Sequence, residues 1–174
     1  MRYKLLFSFI LMVVVASKCG FFDKKTNADK NKDSVKNSPY NNSPYDTKKV
    51  ETIVQTARTY IGTPYKYGGV DCKGFDCSGF VDLVFQTNGF ALPRTSTDIA
   101  AVGYEVAVQD IRAGDLVFFI TDEGTRINHV GIVTEWKSRD SLKFIHSASK
   151  GVREDNLFSK YYQRTFTKAM RPFY

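Results

Sequence analysis

The stretch "GFDCSGFVDLVFQTNG", residues 74–89, places a cysteine at the start of an apolar run with helical spacing. Asp76 or Ser78 can cap a helix that begins near Cys77, and the Asn-Gly pair at the end of the stretch can stop it. Backbone N–H groups at a helix start favour a thiolate over a thiol. A cysteine here could still be a buried side chain, half of a disulfide, a metal ligand or a nucleophile.

The pattern around this stretch predicts helices first and strands later. Apolar residues recur at helical spacing in "VETIVQTARTYIG", residues 50–62, and a short helix is predicted near residues 96–102. Four later runs are rich in β-branched and aromatic residues and are typical of strands: "DLVFFITD", "HVGIVTEW", "LKFIHSAS" and "FTKAMRPF". Short links between the first three favour antiparallel pairing. The sequence therefore predicts an α+β fold with N-terminal helices packed on one face of an antiparallel β-sheet.

Residues 1–18 are predicted to be a secretory signal peptide. Two basic residues precede "LLFSFILMVVVA", an apolar run of 12 residues, whereas a bilayer span takes about 20. The following "ASKCG" resembles a bacterial lipobox, in which the cysteine, here Cys19, becomes the lipid-bearing N-terminus. Because Lys18 departs from that pattern, simple secretion is the alternative. We expect an exported cell-envelope lipoprotein that faces the periplasm or the cell wall and contacts the membrane through Cys19.

Residues 19–49 are predicted to be a flexible tether, and residues 50–174 the folded domain. The tether is rich in Asn, Lys, Asp, Ser and Pro, and it buries too little apolar surface to offset its conformational entropy. Residues 1–49 hold 10 Lys and Arg against 4 Asp and Glu, and residues 50–174 hold 15 against 14. Since the domain itself is nearly neutral, a nucleic-acid partner is not expected.

The chain has two histidines, His129 and His146, and both fall in neighbouring predicted strands. The two imidazoles can therefore share one side of the sheet. With Cys77 they match the needs of a thiol peptidase, in which one imidazole moves the proton and a second polar group holds its tautomer. A disulfide between Cys72 and Cys77 would silence the nucleophile, so Cys72 is expected to be free or in a regulatory or accidental disulfide.

Seven short motifs follow one another along the domain: "GTPYKYGG", "FDCSGFV", "LPRTS", "IRAGDLVFF", "INHVGIV", "FIHSASKGV" and "MR". In their order and approximate spacing they resemble the NlpC/P60 family of cell-wall endopeptidases. The resemblance covers residues 50–174 and implies a papain-like fold, no cofactor and hydrolysis of peptide bonds in peptidoglycan stem peptides. The bond implied is commonly the one from D-glutamate to the diamino acid, cleaved through a thioester intermediate.

The same resemblance implies a nucleophile, a general base and a group that orients the base: Cys77, His129 and His146. It also implies that the Tyr65 hydroxyl reaches the site, to support the oxyanion or a substrate group. Asp76 and Ser78 can meet a peptide amine or cap the helix.

Two other functions stay open at this point. One is a non-catalytic module that binds the cell wall. The other is a zinc-binding lipoprotein, because two cysteines and two histidines supply the count and types of ligands that zinc takes: Cys72, Cys77, His129 and His146.

Overall fold

The computed structural model describes residues 45–138 and 140–172. The predicted signal peptide, Cys19 and all but the last five residues of the tether lie outside them. The elements in chain order are α1 (Thr47–Arg58), β1 (Val70–Asp71), β2 (Gly74–Phe75), α2 (Cys77–Thr87), α3 (Ser96–Ile99), β3 (Tyr104–Val106), β4 (Leu116–Phe119), β5 (His129–Ser138), β6 (Ser141–Ala148), β7 (Gly151–Asn156), α4 (Lys160–Thr165) and β8 (Phe166–Arg171). Among these residues, no helix has both the length and the apolar character needed to cross a membrane.

An antiparallel sheet forms the centre of the described part of the chain, with its six strands in the order β3-β8-β4-β5-β6-β7. Helices α1 and α2 cover one face of it, where Ile53 and Phe80 share a core with Ile132 and Ile145. Strand residues alternate between faces, so this core takes every second side chain of β4 and β5. The predicted α+β fold, with N-terminal helices on one face of an antiparallel sheet, is confirmed.

The opposite face of the sheet carries a second apolar cluster. Phe119, Phe144, Leu157 and Tyr162 pack there, and Tyr162 comes from the short helix α4. The sequence patterns predict neither β7 nor α4, because both segments are short and polar. Pairing with β6 holds β7 in place, and the burial of Tyr162 in the second cluster holds α4. Both lie against the side of β6 that carries His146.

Helix α1 begins three residues before the predicted domain boundary at Val50. Asp46 caps it, since its carboxylate accepts hydrogen bonds from the N–H groups of Lys48 and Lys49 at 3.1 and 3.2 Å. The folded part therefore starts inside the segment predicted as tether, because a polar capping residue is invisible to a search for apolar spacing.

Backbone contacts fix the start of α2. The Asp76 N–H donates to the Gly69 carbonyl at 3.1 Å, and the Ser147 hydroxyl donates to the Phe75 carbonyl at 2.8 Å. A Cβ at Gly79 would lie 2.2 Å from the Gly69 carbonyl oxygen, so glycine is required there for the close approach. These contacts join the first turn of α2 to the strand that carries His146.

A buried ion pair joins the end of β8 to the residue before β4. Arg171 donates two hydrogen bonds to the Asp115 carboxylate, each 2.8 Å long, and a third to the Asp110 carbonyl at 2.9 Å. The Arg112 N–H also donates to Asp115 at 2.7 Å. Both charged side chains are almost fully buried, so each depends on the other for its stabilisation.

Replacing Arg171 by Met should lower the free energy of unfolding by about 3–5 kcal/mol, because it leaves the Asp115 carboxylate buried without its partner. Urea denaturation followed by circular dichroism measures this. Lys137→Met is the matched control: it breaks the exposed Lys137–Glu135 pair and should change stability by less than about 0.5 kcal/mol. Equal effects of the two substitutions would contradict the assigned role of the buried pair.

Candidate active site

Cys77 is the first residue of α2, and its sulfur lies against the beginning of β5. Its Sγ is 3.7 Å from the Asn128 carbonyl oxygen, and the Val130 N–H points at the sulfur from the other side of His129. The side chain is 9% exposed and the thiol is free. The fold thus brings the helix-start cysteine to the backbone on both sides of the first histidine.

Burial raises the pKa of the Cys77 thiol, and the negative charge of Asp76 raises it further. The N–H groups of Val130, Ser78 and Cys77 itself lower it, as a helix start should, but they do not outweigh the other two effects. The N–H groups at the helix start therefore favour the thiolate as expected, but in the free protein burial and Asp76 outweigh them. At neutral pH the residue is a thiol.

The two histidines meet on one side of the sheet, as predicted. Nε2 of His129 and Nδ1 of His146 are 2.9 Å apart, and their rings are nearly perpendicular, at 88°. The two residues are diagonal neighbours on β5 and β6. A Cβ at Gly131, on β5, would lie 2.6 Å from the Phe144 ring and 3.1 Å from the His146 Cβ, so a glycine at this position makes room for the pair.

Both imidazoles are neutral at neutral pH. Burial and the neighbouring His146 lower the pKa of His129 to about 3, and burial lowers the pKa of His146 although Asp155 opposes this. Each ring therefore has one protonated and one unprotonated nitrogen. Since Nε2 of His129 faces His146, Nδ1 is the ring nitrogen of His129 that is left to exchange a proton with a thiol.

The structure adds a polar cluster that the sequence patterns do not predict. Asp155 Oδ2 lies 2.9 Å from Nε2 of His146, and it accepts hydrogen bonds from the Tyr162 hydroxyl at 2.9 Å and from Nε of Arg153 at 2.8 Å. The signal that could have found it is the order of the strands, because Arg153 is the cross-strand partner of His146. The order of the strands could be used only if β7 were predicted, and its charged sequence has no pattern typical of a strand.

Asp155 is ionised although burial opposes ionisation. Hydrogen bonds from His146, Arg153 and Tyr162 outweigh burial and hold the pKa of its carboxyl well below the ordinary range. Burial and the charge of Asp155 raise the pKa of the Tyr162 hydroxyl, which stays protonated. His146 is therefore backed by a fixed negative charge.

Asp76 and Ser78, which flank the nucleophile, are both engaged within the protein. Asp76 caps α2 by accepting from the Gly79 N–H at 2.6 Å, and it is ion-paired with Arg94. Arg94 also donates to the Ser78 hydroxyl at 2.8 Å. Burial disfavours the Asp76 carboxylate, but Arg94 and the capping bond outweigh this and lower its pKa. The helix-capping role considered for Asp76 is confirmed, and its contact with a substrate stays a prediction.

Tyr65 lies at the mouth of the site. Its backbone forms a bridge with Phe75, two residues before the nucleophile. Its side chain is 40% exposed, whereas that of Tyr67 is 90% exposed. Burial raises the pKa of the Tyr65 hydroxyl, and the nearby Cys77 and Asp76 raise it further, which places the phenol close enough to sense both groups.

Cys72 is not part of this site. It is disulfide-bonded, which is one of the two states expected for it, and because Cys77 is free, the bond does not involve the nucleophile. Within the described ranges, no group of three or more His, Cys, Asp and Glu side chains is arranged to hold a metal ion. The four residues considered for zinc do not converge on one point.

Comparisons with known proteins agree with the fold and the motifs. The profile described as the NlpC/P60 family matches residues 62–171. The chain is 41% identical over 102 residues to the gamma-D-glutamyl-L-lysine dipeptidyl-peptidase of Bacillus subtilis, covering 58% of this chain and 33% of that protein. It is 39% identical over 116 residues to a protein of Escherichia coli named "Probable endopeptidase NlpC", covering 66% and 72%.

A solved structure shares the fold. A Staphylococcus aureus protein, described as similar to a lipoprotein of the NLP/P60 family, superposes with a TM-score of 0.67 at 31% identity, over 76% of this chain and 44% of that one. The match therefore spans 33% of the length of the Bacillus protein and 44% of that of the Staphylococcus protein.

Alkylation should report the raised pKa of the thiol. The rate at which iodoacetamide labels Cys77, followed by mass spectrometry of its peptide, should rise with pH through a midpoint above that of glutathione in the same buffer. Asp76→Asn keeps a capping side chain and removes a negative charge, so it should move the midpoint down. Asp98→Asn, which changes an exposed side chain of α3, should not. A wild-type midpoint below that of glutathione would contradict the assignment of a resting thiol.

Proposed function

Because the chain belongs to the NlpC/P60 family, we propose that it is a cysteine endopeptidase that hydrolyses peptide bonds in peptidoglycan. One observation carries the proposal: the free thiol of Cys77 lies against the backbone on both sides of His129, whose ring is held by His146. A nucleophile, a base and a group that orients the base are the minimum that acyl transfer through a thioester requires.

The neutral resting state suits a base that acts during attack. As Sγ of Cys77 attacks the scissile carbonyl, its proton passes to Nδ1 of His129. The tetrahedral intermediate collapses to a thioester as the imidazolium returns that proton to the leaving amine. Water then attacks the thioester with His129 again as base, which releases the acid product and restores the thiol.

Donors to the developing oxyanion come from the helix start and from the mouth of the site. The N–H groups of Cys77 and Ser78 lie in the first turn of α2 and already favour negative charge on the sulfur. We assign the Tyr65 hydroxyl as a further donor, to the oxyanion or to a substrate group. Asp76, held by Arg94, fixes the first turn and presents its charge beside the bound peptide.

The substrate bond that we propose is the D-γ-glutamyl bond to the diamino acid of the stem peptide. The Bacillus subtilis relative is named for a γ-D-glutamyl-L-lysine linkage, and it shares 41% identity over 102 residues with this chain. Burial of the thiol also fits a γ-linked backbone, because two extra methylenes let the carbonyl reach a recessed nucleophile.

Export and anchoring complete the proposal. A lipid on Cys19 would hold the domain at the membrane, and several acyl chains at about 0.8 kcal/mol per buried methylene give firm attachment. The lipid would occupy the Cys19 sulfur, and the chain has three cysteines, of which Cys77 is free. The anchored form could therefore not also have an intramolecular Cys72 disulfide. A leash of about 30 residues would then let the domain search nearby cell wall. Peptidoglycan stem peptides are the proposed partner, and simple secretion is the alternative to anchoring.

The two rival functions fit the site less well. A zinc site would need Cys72, which is disulfide-bonded, and it would need His146, whose two ring nitrogens are engaged with His129 and Asp155. A non-catalytic module has no use for a buried thiol beside a held imidazole, since buried polar groups cost stability unless they are paired.

Cys77→Ala should abolish the release of soluble fragments from purified sacculi, with a fall in kcat of at least about 10³-fold, because no other group can form the thioester. Mass spectrometry of the fragments identifies the bond that is cut. Cys77→Ser tests whether the thiol itself is needed and should be nearly as inactive. Lys137→Ala, an exposed change on β5, serves as the control. Full activity of Cys77→Ala would end the proposal.

Tyr65→Phe should lower kcat by about 10²-fold, as the loss of one oxyanion donor does, with little effect on folding because the ring is retained. Tyr67→Phe, in the same loop and far more exposed, should leave kcat unchanged. Steady-state kinetics on a stem-peptide substrate separates the two. Equal activity of both variants and the wild type would remove the hydroxyl from the mechanism.

A further inference from the structure

The polar cluster behind His146 decides where the protons of the site reside. Asp155 is an ionised carboxylate and can only accept hydrogen bonds. The contact between its Oδ2 and Nε2 of His146, at 2.9 Å, therefore needs a proton on that nitrogen. With one proton per neutral ring, Nδ1 of His146 has the lone pair.

The protonation of His146 in turn determines that of His129. Nδ1 of His146 is an acceptor, so the 2.9 Å contact to Nε2 of His129 needs the proton on His129. The lone pair of His129 is then on Nδ1. A base with the opposite tautomer would present an N–H to the thiol and could not take its proton.

We propose that Asp155 is a positioning residue that sets the tautomers of both histidines, and through them keeps Nδ1 of His129 available as the base. This inference rests on the proposed function for its catalytic consequence, but the tautomers themselves do not depend on it. Asp155 does not touch the reacting atoms and acts through His146.

Two neighbours hold Asp155 in this role. Arg153 contacts Oδ2 through both Nε and Nη2, each at 2.8 Å, and it has only donors, so it fixes an oxygen at that place. The Tyr162 hydroxyl donates to the same oxygen and packs edge-on to the His146 ring, with 5.5 Å between centroids. The carboxylate thus has one orientation, and His146 has one acceptor to meet.

Nitrogen NMR of the full chain labelled with ¹⁵N-histidine tests this directly, because the chain has two histidines. In the wild type, both rings should show a protonated Nε2 and an unprotonated Nδ1. A protonated Nδ1 with an unprotonated Nε2 in either ring would overturn the inference. This reading needs no substitution, so it stands even if a variant fails to fold.

Substitution at Asp155 then tests the cause. Asp155→Ala should let the Nδ1–H form appear in both rings and should lower kcat by about 10²-fold, the lower end of what general-base assistance contributes. Asp155→Asn should retain the wild-type tautomers and rescue most of kcat, because Arg153 keeps an amide oxygen facing His146. Unchanged tautomers in the alanine variant would overturn the inference whatever its activity.

Matched controls separate this role from simple stabilisation. Glu154→Gln changes the neighbouring residue, which forms a partly buried ion pair with Arg58, and should alter neither tautomers nor kcat. A shift of tautomers in Glu154→Gln as large as in Asp155→Ala would overturn the inference. If Cys77→Ala stayed active while the predicted tautomers were observed, the proposed function would fail and this assignment would remain.

Discussion

One buried hydrogen bond, between Nε2 of His129 and Nδ1 of His146, connects the chemistry of the site to the architecture of the sheet. It exists because β5 and β6 pair in a register that makes the two residues diagonal neighbours on the same side. A slip of one residue would turn one imidazole to the opposite face. Gly131 protects the register locally, since a side chain there would collide with Phe144 and His146.

Charge around the site is balanced in two separate places. Asp76 is neutralised by Arg94 beside the nucleophile, and Asp155 is neutralised by Arg153 behind the second histidine. Between them lie a thiol and two imidazoles that burial keeps neutral. A neutral polar group costs less to bury than a charged one, provided that it is hydrogen-bonded. In the proposed reaction, charge separates only when a carbonyl carbon is present to receive the sulfur, which limits side reactions of the thiol.

The two faces of the sheet position different parts of the candidate site. The face under α1 and α2 buries aromatic and aliphatic side chains and fixes where the helix start meets β5. The face under α4 contains the aromatic residues that surround His146, with Phe144 stacked on its ring at 4.8 Å between centroids. The first face positions the nucleophile, and the second positions the imidazoles. Ser147, next to His146, ties the two by its bond to the Phe75 carbonyl.

The sequence by itself determined the fold class, the helix that starts at Cys77 and the pairing of the two histidine strands, because periodic apolar residues and capping groups act over short distances along the chain. Only the tertiary structure decided the protonation of the site. The pKa of Cys77 is raised because burial and Asp76 outweigh the helix-start N–H groups, and helix-start geometry alone does not include those two effects. The role of Asp155 could not be predicted for a related reason. A charged edge strand has no apolar pattern, and its carboxylate meets His146 only because the strand order places β7 beside β6. Local patterns decide which elements form, whereas desolvation and long-range contacts decide which nitrogen has the proton.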